Sequence, residues 1–188
     1  MQFLNRIIVA ACCGLFTFSH LLAQDKLPDV SLANLDGEKV NVVTVGSEGK
    51  ITLFDFWATW CGPCKKGLNN MAELYDEWKE KYNFQIIAVS TDDARSVAKV
   101  KPYVEAQRWD YEVLLDTNEE LKRSLNFQAV PYSILVNQKG EIVYRHDGYK
   151  EGDEYELEKM LAELAANPDA KVKSHKAHEE EAKPVEEK

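Results

Sequence analysis

The chain has 188 residues, 45% of them hydrophobic, which bounds it to one globular domain with tails. Its formal net charge is −9, and Arg6 is the only charge before Asp25, so the acidity belongs to the body of the chain. An acidic body has no electrostatic footprint for nucleic acid or anionic lipid, and neither is expected as a partner.

Met1 to Gln24 opens with Arg6 and the apolar run Ile7 to Phe16, then reaches Ser19, His20 and Ala23 before Asp25-Lys26. That is the layout of a secretory signal over 1–23 with a cut after Ala23, although Leu21, three residues before the cut, is bulky. The run is short for a membrane span and carries Thr17, Ser19 and His20, so membrane attachment is expected only if the signal is retained as an anchor. Val9-Ala10-Ala11-Cys12 also has the look of a bacterial lipoprotein box, with a short apolar run before it. Export is the expectation.

A domain over 25–167 follows. Alternation around Asp36-Gly37 predicts a hairpin between Leu27 and Val42, with the apolar-polar pattern running on toward Val45. Ile51 to Trp57 reads as a buried central strand with one polar intruder, Asp55. Leu68, Met71, Ala72, Tyr75, Trp78 and Tyr82 then recur at helical spacing up to a turn at Asn83, and Phe84 to Val89 is a second buried strand. A helix is expected from Ala94 to about Gln107, limited or bent by Pro102, then a strand at Tyr111–Leu115 and a helix from Thr117 or Asn118 to Leu125. Tyr132–Val136 and Glu141–Arg145 form a second hairpin, and Glu151–Ala166 a terminal helix stopped by Asn167-Pro168. The remainder, 168–188, is a near-even mix of Lys and Glu with too little apolar material for a core, and disorder is expected there. The order of elements implies an α/β fold with a central mixed sheet flanked by helices.

Trp60-Cys61-Gly62-Pro63-Cys64 stands where the central strand gives way to the long helix. Cys12 and Cys13 fall within the signal, which leaves Cys61 and Cys64 as the pair in the mature chain. A disulfide across two residues closes too small a loop to constrain the unfolded chain much, so the pair is read as chemical rather than structural. Half of a zinc site is the other reading of such a pair. It needs two further ligands, and the body offers only His146, with His175 and His178 in the tail, so no metal is expected. At a helix N-terminus the macrodipole and free N–H groups favour a Cys61 thiolate, the form that attacks disulfides. Cys64, one turn on, is placed to attack the mixed disulfide that results. Pro63 fits the first helical turn, where its missing N–H costs nothing. An apolar strand gives Asp55 few partners, so desolvation should raise its pKa.

From about Leu27 to Ala166, with Phe54-Asp55-Phe56-Trp57-Ala58 leading into Trp60-Cys61-Gly62-Pro63-Cys64, the chain resembles the exported TlpA/ResA-like branch of the thioredoxin superfamily. The resemblance implies a thioredoxin fold with an N-terminal β-hairpin extension and a βα insert (about Ser90 to Thr117) before a cis-proline. It implies that Cys61 is the nucleophile, Cys64 the resolving thiol, and Asp55, on the family's buried acid position, a proton acceptor for Cys64. Val130-Pro131 matches the cis-proline that faces the pair and presents backbone to a substrate peptide. Trp60, Gly62 and Pro63 join these as substrate contacts, while Trp57 reads as core. The implied redox centre is the Cys61–Cys64 disulfide with no further cofactor. Its partners would be disulfide-containing proteins, such as apocytochrome c or damaged envelope proteins, and an upstream membrane thiol donor. The implied setting is the periplasm or cell envelope of a bacterium. One departure stands out: many ResA-like proteins carry a glutamate three residues after the second cysteine, and here that position is Gly67. A strict cytochrome-maturation assignment therefore does not follow.

Reduction of protein disulfides is the leading reading, supported by the Gly-Pro pairing that thioredoxin itself uses. The alternatives are the same chemistry run as an oxidase or isomerase, or a copper or redox-binding module using Cys61, Cys64 and His146. For that last reading, His146 is expected to be an ordinary surface histidine. Peroxide reduction fits poorly, because Gly62-Pro63 rather than a threonine precede Cys64.

Overall fold

The computed structural model describes residues 26–172, so the expected signal over 1–23 and the tail beyond 172 lie outside the described residues. The first hairpin forms as β1 (Ser31–Asn34) and β2 (Lys39–Asn41), with Gly37 at a φ of +83° in the turn. Asn34 closes that turn by accepting the backbone N–H groups of Asp36 and Glu38 on its side-chain oxygen. The alternation past Asn41 does not continue the strand. Val42–Gly46 is a short helix, α1, because the Asn41 side chain accepts the Thr44 N–H and caps it.

The next three elements match the sequence reading: β3 (Ile51–Trp57), α2 (Gly62–Tyr82) and β4 (Phe84–Ser90), with Asn83 in the left-handed region ending α2. The helix expected from Ala94 starts later. Asp93 ties its carboxylate to the N–H groups of Arg95 and Ser96 in a turn, a 3-10 turn covers Val97–Lys99, and α3 runs over Val100–Gln107. Pro102 thus lies in the first turn of α3, where a missing N–H is harmless, and does not bend a longer helix. After β5 (Glu112–Leu115), α4 covers Glu120–Leu125 rather than starting at Thr117 or Asn118. The Asp116 carboxylate sets that start by accepting the N–H groups of Glu120, Leu121 and Lys122. β6 is Tyr132–Val136, β7 runs on to Asp147 (Ile142–Asp147), and α5 is Asp153–Ala166, a little later than the Glu151 expected. Past α5 the chain stays docked: the Asn137 amide donates to the Pro168 carbonyl, Lys139 pairs with Asp169, and Ala170 and Val172 pack on the core.

The seven strands form one mixed sheet in the order β2-β1-β5-β4-β3-β6-β7. β3, β4 and β5 are parallel, β6 and β7 antiparallel to their neighbours. The N-terminal hairpin attaches through β1 to β5, pairing Ala33 with Leu115 and Asn34 with Leu114. The N-terminal extension and the inserted strand therefore build one edge together. On one face α2, α3 and α5 cover Leu53, Trp57, Ile86 and Leu135; on the other, α1 and α4 cover Phe54, Phe56, Ile87 and Ile134. Because side chains alternate along β3, Asp55 projects with Leu53 and Trp57 toward α2 and α5.

Candidate active site

Cys61 and Cys64 are joined by a disulfide at the N-terminus of α2, with a Cα–Cα distance of 5.4 Å. Cys61 is the N-cap, and its Sγ accepts the Cys64 N–H at 3.3 Å. That bond and the helix N-terminus favour negative charge on Cys61 once the pair is reduced. Both cysteines are nearly covered, at 4% and 2% exposure, whereas Gly62 and Pro63 are exposed and Trp60 stands out at 68%. Trp57 is fully buried, packed edge-on against Trp109 and tilted against Tyr103. The motif thus presents an aromatic ring and two small backbone residues to solvent above a recessed disulfide.

The loop that aims the motif is pinned by a residue with no warning in the sequence. Asp92 is buried just after β4, and its carboxylate accepts the Thr59 N–H at 2.8 Å, the Thr59 hydroxyl at 2.6 Å and the Ser90 hydroxyl at 2.9 Å. Thr91 adds two bonds to the Trp57 carbonyl, and Lys65 reaches back to the Thr59 carbonyl at 3.0 Å. The residues between β3 and Cys61 are therefore fixed from two sides. Only the register of β3 against β4, which pairs Trp57 with Ser90, brings these groups together.

Beneath Cys64 lies a cavity of about 50 Å³ between α2, α5 and the strands β3, β6 and β7, with Asp55 and Pro131 among its walls. Val130-Pro131 is a cis peptide bond, and the Pro131 carbonyl accepts the Gly148 N–H at 2.8 Å. The structure therefore places Cys64, Asp55 and Pro131 around one cavity. Trp60, Gly62 and Pro63 lie on the exposed side of the motif, and Val130 is half-buried against the core.

Asp55 retains some accessibility through this cavity, yet the surrounding protein strips it of water. Its carboxyl is pushed up from 3.8 to about 8 by desolvation. The register explains the one-sided environment. Asp55 faces Ala88 on β4, which offers nothing polar, and Ser133 on β6, which in turn pairs with His146 on β7. The phenol of Tyr111 lies close enough to Asp55 for that charge to help push its pKa up, after burial itself.

His146 is not an ordinary surface histidine. Its side chain is 23% exposed and lines the same cavity as Asp55 and Cys64, with Nδ1 bonded to the Tyr144 hydroxyl at 3.2 Å and Nε2 to Asp153 at 3.0 Å. The signal for this was in the alternation of β7, which puts His146 on the same face as Tyr144. No group of three or more His, Cys, Asp or Glu residues is placed to hold a metal among the described residues, so the copper reading gains nothing. Gly67, one turn after Cys64, lies against the Tyr149 ring: a Cβ there would come within 2.8 Å of Tyr149 Cδ2. Tyr149 itself is held by Asn70 and Glu154 through its hydroxyl. The space a longer side chain at this position would need is filled by Tyr149.

The chain matches the AhpC/TSA family over residues 23–145. It is 31% identical over 148 residues to the thiol-disulfide oxidoreductase ResA of Halalkalibacterium halodurans, covering 75% of this chain and 81% of that protein. It is 27% identical over 125 residues to the sporulation thiol-disulfide oxidoreductase A of Bacillus subtilis, covering 64% and 73%. Among solved structures, a thioredoxin-like protein from Porphyromonas gingivalis superposes with a TM-score of 0.67 at 41% identity, over 77% of this chain and 93% of that one. A paired CxxC at a helix N-terminus, a mixed sheet of thioredoxin type and these relatives converge: the chain belongs to the thioredoxin-like AhpC/TSA family and is a thiol-disulfide oxidoreductase.

Proposed function

We propose that this protein is exported and reduces disulfides of proteins in a bacterial cell envelope. Cys61 is the nucleophile, Cys64 the resolving thiol and Asp55 the acceptor of the Cys64 proton. The observation that carries the assignment is the cavity shared by Asp55 and Cys64, with Cys61 outside it at the N-cap of α2. The two cysteines have different surroundings, so they have different roles.

In the reduced enzyme the Cys61 thiolate attacks one sulfur of the substrate disulfide, forming a mixed disulfide and releasing the other substrate sulfur as a thiolate. Asp55 in its ionised form then takes the Cys64 proton, and Cys64 attacks Cys61 Sγ and frees the second substrate sulfur as a thiolate, leaving the Cys61–Cys64 disulfide. A carboxyl held near 8 is close to the range in which a thiol ionises, so transfer between the two needs little driving force. Exposed Trp60, with Gly62 and Pro63, supplies the rim against which a peptide settles, and Val130-Pro131 supplies the opposing backbone. A membrane thiol donor returns the pair to the dithiol. The Gly-Pro pairing favours a reductant: thioredoxin, which has it, lies near about −270 mV, against about −120 mV for DsbA.

The test is trapping. With Cys64→Ser the attack proceeds and resolution cannot, so a mixed disulfide with a disulfide-bearing protein should accumulate on Cys61. Cys61→Ser should trap nothing. Equal trapping by both variants would remove the division of roles.

A further inference from the structure

Asp55 has to empty itself. A carboxyl that takes the Cys64 proton, and whose burial holds it protonated at neutral pH, must pass that proton to solvent before it can act again. Ala88 closes one side of it, and the polar walls lie toward β6 and β7. There, a chain of hydrogen bonds runs outward. Tyr144 lines the cavity, and its hydroxyl bonds His146 Nδ1 at 3.2 Å; His146 Nε2 bonds Asp153 Oδ2 at 3.0 Å, and Asp153 is 31% exposed at the start of α5. The cavity, at about 50 Å³, has room for a few waters between Asp55 and the Tyr144–His146 pair, and in register Ser133 stands between Asp55 and His146.

We propose that Tyr144, His146 and Asp153 form the route by which the Asp55 proton reaches solvent, with Ser133 and cavity water joining the two ends. Imidazole suits the middle place because it accepts a proton on one nitrogen while releasing one from the other. The step balances without an added reactant: Cys64 loses a proton and its sulfur bonds to Cys61, the substrate sulfur leaves as a thiolate, and the proton goes through Asp55 and His146 to bulk water. Other ionisable groups face the same cavity: Cys64 from α2, and Tyr149 and Glu154 from the start of α5 and the turn before it, while Tyr111 approaches Asp55. Tyr149 and Glu154 are bound to each other and to Asn70 and the Gly152 N–H, and burial pushes the Tyr149 phenol up to about 12, so they make a poor exit. Tyr144, His146 and Asp153 are positioning residues here, acting on Cys64 through Asp55.

This inference rests on the proposed roles of Cys61, Cys64 and Asp55. The experiment is single-turnover oxidation of the reduced full-length protein by Ellman's disulfide in weak, non-nucleophilic buffer. The first aryl thiolate released reports attack by Cys61, the second resolution by Cys64. His146→Gln, which keeps hydrogen-bonding capacity but cannot shuttle, should slow the second release roughly tenfold and leave the first unchanged. Millimolar imidazole should restore it. Tyr144→Phe, which keeps the ring and its packing, should give the same selective, rescuable loss. An unchanged second release in both variants overturns the proposal. So does a loss that imidazole does not restore, since that is what a purely structural pin between β7 and α5 would give. If instead wild type shows no distinct second release, or Asp55→Asn does not slow it, the proposed roles of Cys64 and Asp55 fail first.

Discussion

An aspartate in the middle of a central strand is costly as a charge, and Asp55 has no ion pair or hydrogen bond among the described residues to repay it; desolvation alone raises it to about 8. The sign of the consequence follows. The unfolded chain releases this proton near 3.8 and the folded chain near 8, so between those values the folded protein holds more protons. The stability contributed by the neutral carboxyl is complete below about 3.8 and is lost as pH rises through about 8. The urea midpoint of the oxidised protein should therefore fall from about pH 6 to about pH 9, and Asp55→Asn should remove most of that fall, gaining about 2 kcal/mol at the alkaline end. A midpoint in Asp55→Asn that falls as steeply as in wild type would show that Asp55 titrates nearer its unfolded value. The cysteine pair and Asp55 were legible in the sequence, because each is a local break in a local pattern. Asp92 and His146 were not: what they do depends on partners thirty-three positions away in Thr59 for the first, and on which neighbour flanks β7 for the second. Alternation named the face of His146, but only the register showed that Asp55, Ser133 and His146 share a row.

At the scale of elements, α2 and α5 decide the shape of the site. α2 was readable end to end, since its stripe of Leu68, Met71, Tyr75 and Trp78 is strongly periodic and Asn83 stops it. The starts of α3 and α4 were misplaced because side chains of Asp93 and Asp116 capture backbone N–H groups in ways that spacing does not announce. The approach of α2 to the segment before α5 leaves no room for a side chain at Gly67 unless Tyr149 moves. Tyr149 lies on Gly67, and its hydroxyl is anchored on two sides, so the ring has little freedom to move. Gly67→Ala should cost about 1–2 kcal/mol in denaturant unfolding, with the cysteines still reactive. A neutral outcome would mean that Tyr149 swings away freely and that the cavity is larger in solution than its walls suggest.

For the molecule as a whole, the thioredoxin-type order of elements was legible from composition and motif, but the edge of the sheet was not. The N-terminal hairpin and the inserted strand look like separate additions in sequence, and β1 and β5 join them. That pairing extends the sheet on the side away from β6 and β7, leaving the cavity side for the chemistry. The assembled site recesses one disulfide at a helix N-terminus, under an exposed tryptophan and over a carboxyl that can take a proton. The direction of its chemistry is settled most directly by the equilibrium redox potential of Cys61–Cys64, measured against a dithiothreitol or glutathione series. A reductant requires a value below about −220 mV, and that is the result we expect. A value near about −120 mV would contradict it and make the protein a donor of disulfides.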